Sequence, residues 1–368
     1  IGYNDYWLNT QGDGFKYKNG LNLLGEGGLV CATSNTKVSN CVRGGIDPFI
    51  QDADFTNVSP FQITQPGIIS VQDGNAIFND NAAGSNKIGI EINLSSYQFT
   101  TAADSDYIIL KYKIKNSTAG VISNFYTGLY TDWEIGSLGN YNNADWDAAN
   151  QMGYVWKASG NPATYTGVAL LSAGNVSYWA IDDDNSVPGN PFGTWDGYSD
   201  AEKYRSLSSG IGRMQAGGTN GNFVSNIVGS GPYSIPAGEN ITVTFALIAG
   251  DNLADLQSNC IAARNKYNSV IGITSNNSQI PYRYSLSQNY PNPFNPTTKI
   301  NFSVPVNSLV KLKIYNVLGK EVMTLINDQK PAGNYAAEFN GANLSSGIYF
   351  FRMEAAEFVD VKRMMLIK

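Results

Sequence analysis

"YPNPFNPTTKI", residues 290–300, sets three prolines and two asparagines directly before a clean alternation of apolar and polar residues. Proline lacks a backbone N–H, fixes φ and biases the residue before it away from the helical region, so this stretch is extended and cannot open a helix. The residues from Thr298 to the end read as strands: "TKINFSVP", "LVKLKIYNV", "EVMTLIND", "GNYAAEFNG", "GIYFFRMEA" and "FVDVKRMMLIK". Turns fall between them at "PVNS", "LGK", "KPAG", "NLSSG" and "AAE". Short strands at roughly 8–12-residue spacing predict a small immunoglobulin-like β-sandwich.

Upstream, "ITSNNSQIPYRYSLSQ" is polar and unpatterned, which predicts a linker over residues 276–283 between a large module, 1–275, and the C-terminal domain, 284–368. Before the linker, "DNLADLQSNCIAARNKYNSVIG" predicts a helix near 252–269. Leu253, Leu256, Cys260, Ala263 and Tyr267 recur three or four apart as one stripe, with Asp251 placed as N-cap and Gly272 just past the end. Cys260 on that stripe reads as a buried free thiol. Elsewhere the module is strand-like: "YIILKYKIKNS", "VISNFYTGLYTDW", "GVALLSA", "YWAID" and "NITVTFALIAG" are β-branched and aromatic runs separated by Gly, Asn, Asp and Pro. The expected fold class is therefore all-β, a large jelly-roll-like sandwich with one packed α-helix followed by the small sandwich.

Composition agrees and excludes. Of 368 residues 42% are hydrophobic but only 15% charged, against about a quarter in ordinary domains, and 38 glycines and 22 tyrosines suit a turn-rich β chain. No apolar run is long enough for a transmembrane helix. A net charge of −6 without a basic block argues against nucleic acid as a partner. There is no histidine, so Ser-His-Asp and Cys-His relays and His-liganded metals are excluded. The chain starts at Ile1 with neither an initiator Met nor a charged-then-apolar leader, from which the expectation is a removed signal peptide or a longer precursor. Cys31 and Cys41 bracket "CATSNTKVSNC", whose polar centre reads as a turn. In an exported protein they are expected to form a disulfide, the alternative being two unpaired thiols.

Residues 284–368 resemble the C-terminal sorting domain of proteins exported by the bacterial type IX secretion system. The resemblance is carried by "LSQNYPNPFNPTTKI", "VKLKIYNVLGKEV", "AGNYAAEFNGANLSSGIYFFRM" and the basic-apolar end "KRMMLIK". Its motif positions are Pro291, Asn292, Pro293, Phe294, Asn295, Pro296, Gly319, Gly347, Lys362 and Arg363. It implies the type IX machinery as a partner and an extracellular or outer-surface location. The large module resembles, on "GLVCATSNTKVSNCVRG", "FYTGLYTDWEIG" and "SDAEKYRSLSSG", the non-catalytic module that follows subtilisin-like peptidase domains in some cargoes of this route.

Two acidic stretches are the candidate sites. "TDWEIGSLGNYNNADWDAAN" holds Asp132, Glu134, Asp145 and Asp147, and "IDDDNSVPGN" holds Asp182, Asp183 and Asp184. Calcium takes six to eight oxygens from flexible loops, so Ca2+ is one reading; solvated turns are the other. Two acids at a set separation also suffice for glycoside hydrolysis, a separation that sequence does not provide. Trp133, Trp146, Trp179 and Trp195 lie near these acids as candidate stacking surfaces for surface glycans. The favoured expectation is a non-enzymatic exported structural protein that packs against copies of itself into a filament or sheath, with residues 284–368 at the joint. The alternative is an accessory carbohydrate-binding or spacer module of a larger secreted hydrolase or peptidase.

Overall fold

In Leu24–Ser34 the run Gly27–Ala32 is buried at every position, not at every second one. A strand reads that way when both faces of its sheet are covered. The computed structural model describes residues 14–18, 20–47, 50–136, 141–158, 164–271, 284–356 and 358–368. The chain divides into two compact units, Ile1–Gly272 and Ile273–Lys368. The expected linker at 276–283, and Gly272, lie outside the described residues.

In the large unit the strands are β1 Leu24–Ser34, β2 Lys37–Asn40, β3 Thr56–Thr64, β4 Gln72–Asn79, β5 Ile90–Gln98, β6 Tyr107–Asn116 and β7 Ile122–Trp133. Then come β8 Asn142–Asp147, β9 Met152–Lys157, β10 Tyr165–Leu170, β11 Val176–Asp182, helix α1 Asp200–Ser208, β12 Ile211–Arg213, β13 Val224–Ile235, β14 Asn240–Gly250 and helix α2 Leu253–Lys266. Among the described residues they form a six-stranded sheet, β12-β11-β13-β7-β1-β2, and an eight-stranded sheet, β3-β4-β5-β6-β14-β10-β9-β8. Leu29, Phe125, Leu129 and Val228 of the first meet Ile92, Tyr112, Val168 and Phe245 of the second in one core. On the outer side of the six-stranded sheet, Val30, Tyr130 and Ile227 pack with Leu207 of α1. On the outer side of the eight-stranded sheet, Ile109, Ala246 and Ile248 pack with Leu256, Cys260 and Ala263 of α2. The layers are thus helix, sheet, sheet, helix. All-β is the class, and two helices cover it where one was expected.

The unexpected helix is α1. Ser199 and Glu202 form a reciprocal capping box, the Ser-x-x-Glu signature of a helix start, in "SDAE". At α2 the expected stripe is present, with Leu256, Cys260 and Ala263 buried. The cap, however, is Asn252 and not Asp251: Asn252 Oδ1 accepts from Asp255 N at 3.0 Å. Asp251 is engaged instead by Lys18 at 2.5 Å.

The expected disulfide is not formed, and all three cysteines are free. Pairing of β1 with β2 sets Cys31 opposite Ser39, and Cys41 lies beyond the last pair, Val30 with Asn40. A residue two places off register sits about 7–8 Å away on the diagonal, further than a disulfide spans. The Cys31 thiol contacts Thr127 Oγ1 at 3.4 Å, and burial pushes its pKa up. Alkylation of unreduced, unfolded protein should therefore modify Cys31, Cys41 and Cys260 alike; peptide mapping that recovers a Cys31–Cys41 cross-link would overturn this.

The second unit has β15 Ser285–Leu286, β16 Thr297–Val304, β17 Ser308–Asn316, β18 Glu321–Lys330, β19 Gly333–Asn340, β20 Gly347–Ala355 and β21 Phe358–Leu366. The sheets β15-β16-β19 and β18-β17-β20-β21 enclose a separate core. Alternation does the sorting: Ile300, Phe302 and Val304 of β16 point inward, toward Val310, Leu312 and Ile314 of β17 and Phe351 and Met353 of β20.

Candidate functional site

The acidic stretches fall into separate settings. The first is a buried cluster around Arg43, just beyond β2. Its Nε donates to Glu26 Oε2 at 2.8 Å, Nη2 to Asp132 Oδ2 at 2.5 Å and Nη1 to Thr194 Oγ1 at 2.9 Å. Asp183 Oδ2 lies 3.6 Å from Nη1, and the Tyr130 ring sits 5.5 Å from the guanidinium carbon. One cation thus serves three carboxyl groups. Burial and the repulsion of Asp183 and Glu26 outweigh the attraction of Arg43 and push the Asp132 pKa up to about 8. Glu134, close beside Gly25, is likewise raised by burial.

Asp182 turns the other way. Its Oδ2 accepts from Arg213 Nη2 at 2.5 Å and its Oδ1 from Gly217 N at 2.8 Å, while Arg213 Nη1 donates to Ala180 O and Asn190 Oδ1, both at 3.1 Å. Asp184 is a turn residue whose carboxylate accepts from Ser186 N at 2.8 Å, which lowers its pKa. Asp147 is raised by burial, but hydrogen bonds from Asn150, Gln257 and Ala149 outweigh that and hold it below its ordinary value. Asp145 accepts from Trp146 N at 2.7 Å and Gln215 Nε2 at 2.9 Å. Among the described residues no group of three or more acidic or thiol side chains is placed to hold a metal ion. The candidate calcium ligands thus face different partners: Asp132 and Asp183 pair with Arg43, Asp182 pairs with Arg213, Asp147 and Asp184 accept turn N–H groups, and Asp145 accepts from Gln215.

Among the described residues a concavity runs along β8. The segment after β12 crosses its outer edge through bridges Asn142 to Asn222 and Ala144 to Ala216. Gly217 has φ of 97°, and a Cβ there would lie 2.2 Å from Asn143 Oδ1, so this close crossing depends on glycine. Between the segment and the sheet lies a groove of about 510 Å³ lined by Asn143, Asp145, Trp156, Arg213, Gln215 and Thr219. Trp156 lies nearly parallel to Tyr154 (centroids 5.3 Å, 26°) and to Tyr165 (6.1 Å, 8°). Of the tryptophans singled out from sequence, Trp133 and Trp179 are buried in cores, Trp146 stacks on Tyr178 and Trp195 packs edge-on to Phe223. The ring in the groove is Trp156, which sequence patterning alone does not single out. Its one signal is "MGYVWK", where Tyr154 and Trp156 share a strand face, but the partner Tyr165 depends on the pairing of β9 with β10.

In the second unit the proline-rich segment folds back onto β21. Phe294 N donates to Met365 O at 2.9 Å, Ile367 N to Phe294 O at 3.0 Å and Met365 N to Asn292 Oδ1 at 2.9 Å. The Phe294 ring is buried against Phe339 at 5.6 Å. Buried Asn289 and Thr298 both donate to Pro291 O, at 3.0 and 2.8 Å. The bonds preceding Pro291 and Pro293 are cis. Pro296 O accepts from Gly341 N at 2.8 Å, and Asn295 is exposed. Gly319, with φ of 74°, makes the turn between β17 and β18, and Gly347 opens β20. Lys362 pairs with Asp360 at 3.4 Å, and Arg363 O accepts from Gln288 Nε2 at 2.7 Å.

Residues 288–368 match the sequence family described as the secretion system C-terminal sorting domain. The chain is a secreted cargo of the type IX route, bound for the cell surface or the medium. The match does not extend into the large unit. Among curated proteins none matches. Solved structures that resemble the chain include a bacterial glucoamylase complexed with acarbose, 13% identical over 68% of this chain and 30% of that one, with a TM-score of 0.42. Another is a polysaccharide lyase, 10% identical over 93% of this chain and 39% of that one, TM-score 0.31. A third is PorZ, a surface component of the type IX secretion system of Porphyromonas gingivalis, 11% identical over 83% and 45%, TM-score 0.18. The chain spans less than half the length of each of these three, and likeness at this level carries no argument about activity.

Proposed function

We propose that this cargo is a non-catalytic surface protein that associates with copies of itself, and that the β3–β4 hairpin is the contact. The observation behind this is the character of β3. It is an edge strand of the eight-stranded sheet, exposed along nearly its whole length, and from Phe55 to Gln72 the sequence carries no charged side chain. Val58, Phe61 and Ile63 are each more than half exposed, and Ile68 is 93% exposed at the hairpin tip. The tip is held in shape, because the Asp73 carboxylate accepts from Ile68 N, Ile69 N and Ser70 N at 2.7, 2.8 and 2.9 Å. Soluble monomers guard such edges with charge, proline or bulges. Here Pro60 and two register shifts guard the first half, and the second, Gln62–Thr64, pairs regularly with β4.

A second copy fits this edge better than a charged partner. Every copy carries a net charge of −6, and repulsion between copies is least where neither presents charge. The joint expected at residues 284–368 is less favoured, because the proline-rich segment there already pairs with β21 of its own unit. Absence of catalysis is supported by the lack of histidine and by the internal partners of the acidic side chains around Arg43 and Arg213.

The test is sedimentation velocity and negative-stain microscopy of the full chain at rising concentration, beside Ile63→Lys and Ile68→Lys. Wild type should associate and both variants should remain monomeric with unchanged melting. A wild type that stays monomeric, or association undiminished in the variants, would sink the proposal. Turnover of casein by the purified chain would overturn its non-catalytic part.

A further inference from the structure

We propose that the groove along β8 binds a neutral saccharide chain, with Trp156 as the stacking ring and the amides of Asn143 and Gln215 as the hydrogen-bonding groups. A pocket of about 510 Å³ is within the roughly 300–1,000 Å³ of small-molecule sites. Its chemistry is one aromatic ring, Trp156, beside the amides of Asn143 and Gln215, with Asp145 and the Arg213–Asp182 pair in the wall. Trp156 is half-buried and lines the groove, and its stacking on Tyr154 and Tyr165 holds the ring in place, so that its exposed part offers an apolar surface to the C–H face of a sugar ring. Asn143 Oδ1 is buried with no hydrogen-bond partner among the described residues, an orphan acceptor beside the groove. With the amide turned into the groove, a sugar hydroxyl would satisfy it.

The charges in the wall argue for a neutral ligand. Arg213 is the cation there, and its charge is already offset by Asp182 while Ala180 O and Asn190 take two more of its five N–H groups, so it offers little net charge to a carboxylate or sulfate. Asp145 has no cationic partner in its hydrogen bonds with Trp146 N and Gln215, so it repels an anionic chain while still accepting from hydroxyls. This site lies on the rim at β8, whereas the proposed self-contact lies on β3 at the opposite edge of the same sheet, so the two inferences fail independently.

Affinity electrophoresis of the full chain tests it, in native gels cast with laminarin, xylan, glucomannan or pullulan, with alginate and polygalacturonate as the anionic arm. At least one neutral polysaccharide should retard the chain relative to a plain gel. Trp156→Ala and Gln215→Ala should each weaken that retardation by about tenfold, and Trp156→Phe should keep part of it. Thermal melts accompany each variant, and if Trp156→Ala melts early, Gln215→Ala and Asn143→Ala decide. Failure of every neutral polymer to retard the chain, retardation by the anionic polymers alone, or retardation undiminished in the variants would overturn the proposal.

Discussion

Arg43→Met should destabilise the large unit by about 3–5 kcal/mol, the cost of leaving buried charge without its partner. Arg43, Glu26 and Asp183 are each less than a tenth exposed and Asp132 about a fifth, so solvent screens the cluster little. The loss should depend on pH, with a sign fixed by Asp132. Its carboxyl is raised from an ordinary value of 3.8 to about 8 in the folded chain, so the folded state holds a proton that the unfolded chain releases between those values. Stability from this group is therefore complete in acid, declines as pH rises from about 4 to about 8, and is level above that. Removing Arg43 takes away the cation that makes ionisation tolerable, so the deficit of the variant should be smaller at pH 5 than at pH 8.5. Urea melts at the two pH values measure it. Adding Asp132→Asn to Arg43→Met should recover part of the loss, because one fewer carboxylate is left unpaired. A deficit below about 1 kcal/mol at both pH values, or one that shrinks as pH rises, would show that Arg43 does not hold the cluster together.

That cluster also shows where sequence stopped being informative. Asp182 and Asp183 are neighbours in the chain, and grouping them as one acidic loop is natural, yet at the end of β11 successive side chains point to opposite sides. Asp182 meets Arg213, and Asp183 meets Arg43 with Ser225. Glu26, Asp132 and Arg43 come from β1, β7 and the segment after β2, which only strand pairing brings together. Helix α1 was hidden for a related reason. Its buried positions are Lys203, Ser206 and Leu207, so it has no apolar stripe to read. Lys203 is fully buried because Asp52, distant in sequence, receives its ammonium at 2.7 Å. By contrast, β16 and β20 were legible because one face is packed and the other wet, which writes the period of two directly into "TKINFSV" and "IYFFRMEA". The cysteine pair misled because a spacing in sequence does not fix the hairpin register, and the turn after Ser34 sets Cys31 against Ser39.

The sorting unit should be the more fragile of the two, and Phe351→Ala should remove a large share of its stability. Phe351 is fully buried on β20, a strand bonded on both sides, with Ile314 of β17 opposite it on one side and Lys362 of β21 on the other. Truncating a core phenylalanine costs about 3–5 kcal/mol, from lost burial and from the cavity left behind. A domain of this size has only about 4–13 kcal/mol in total at typical stability per residue. The residue is in the middle of a core assembled from sheets of three and four strands, so few neighbours can collapse into the space. Met353→Leu on the same strand face keeps the volume and should cost less than about 1.5 kcal/mol. Calorimetry of the full chain should show the sorting-unit transition shifted sharply down in Phe351→Ala and little moved in Met353→Leu. The transition of the large unit, whose cores are separate, should stay in place. Because the sorting unit directs export, Phe351→Ala should also lower delivery of the chain, while Met353→Leu is delivered normally. Normal delivery of a Phe351→Ala chain whose sorting unit is unfolded would mean that the machinery reads short linear motifs and not the folded sandwich. A loss below about 1 kcal/mol in that variant would mean that the core around β20 does not hold the unit together.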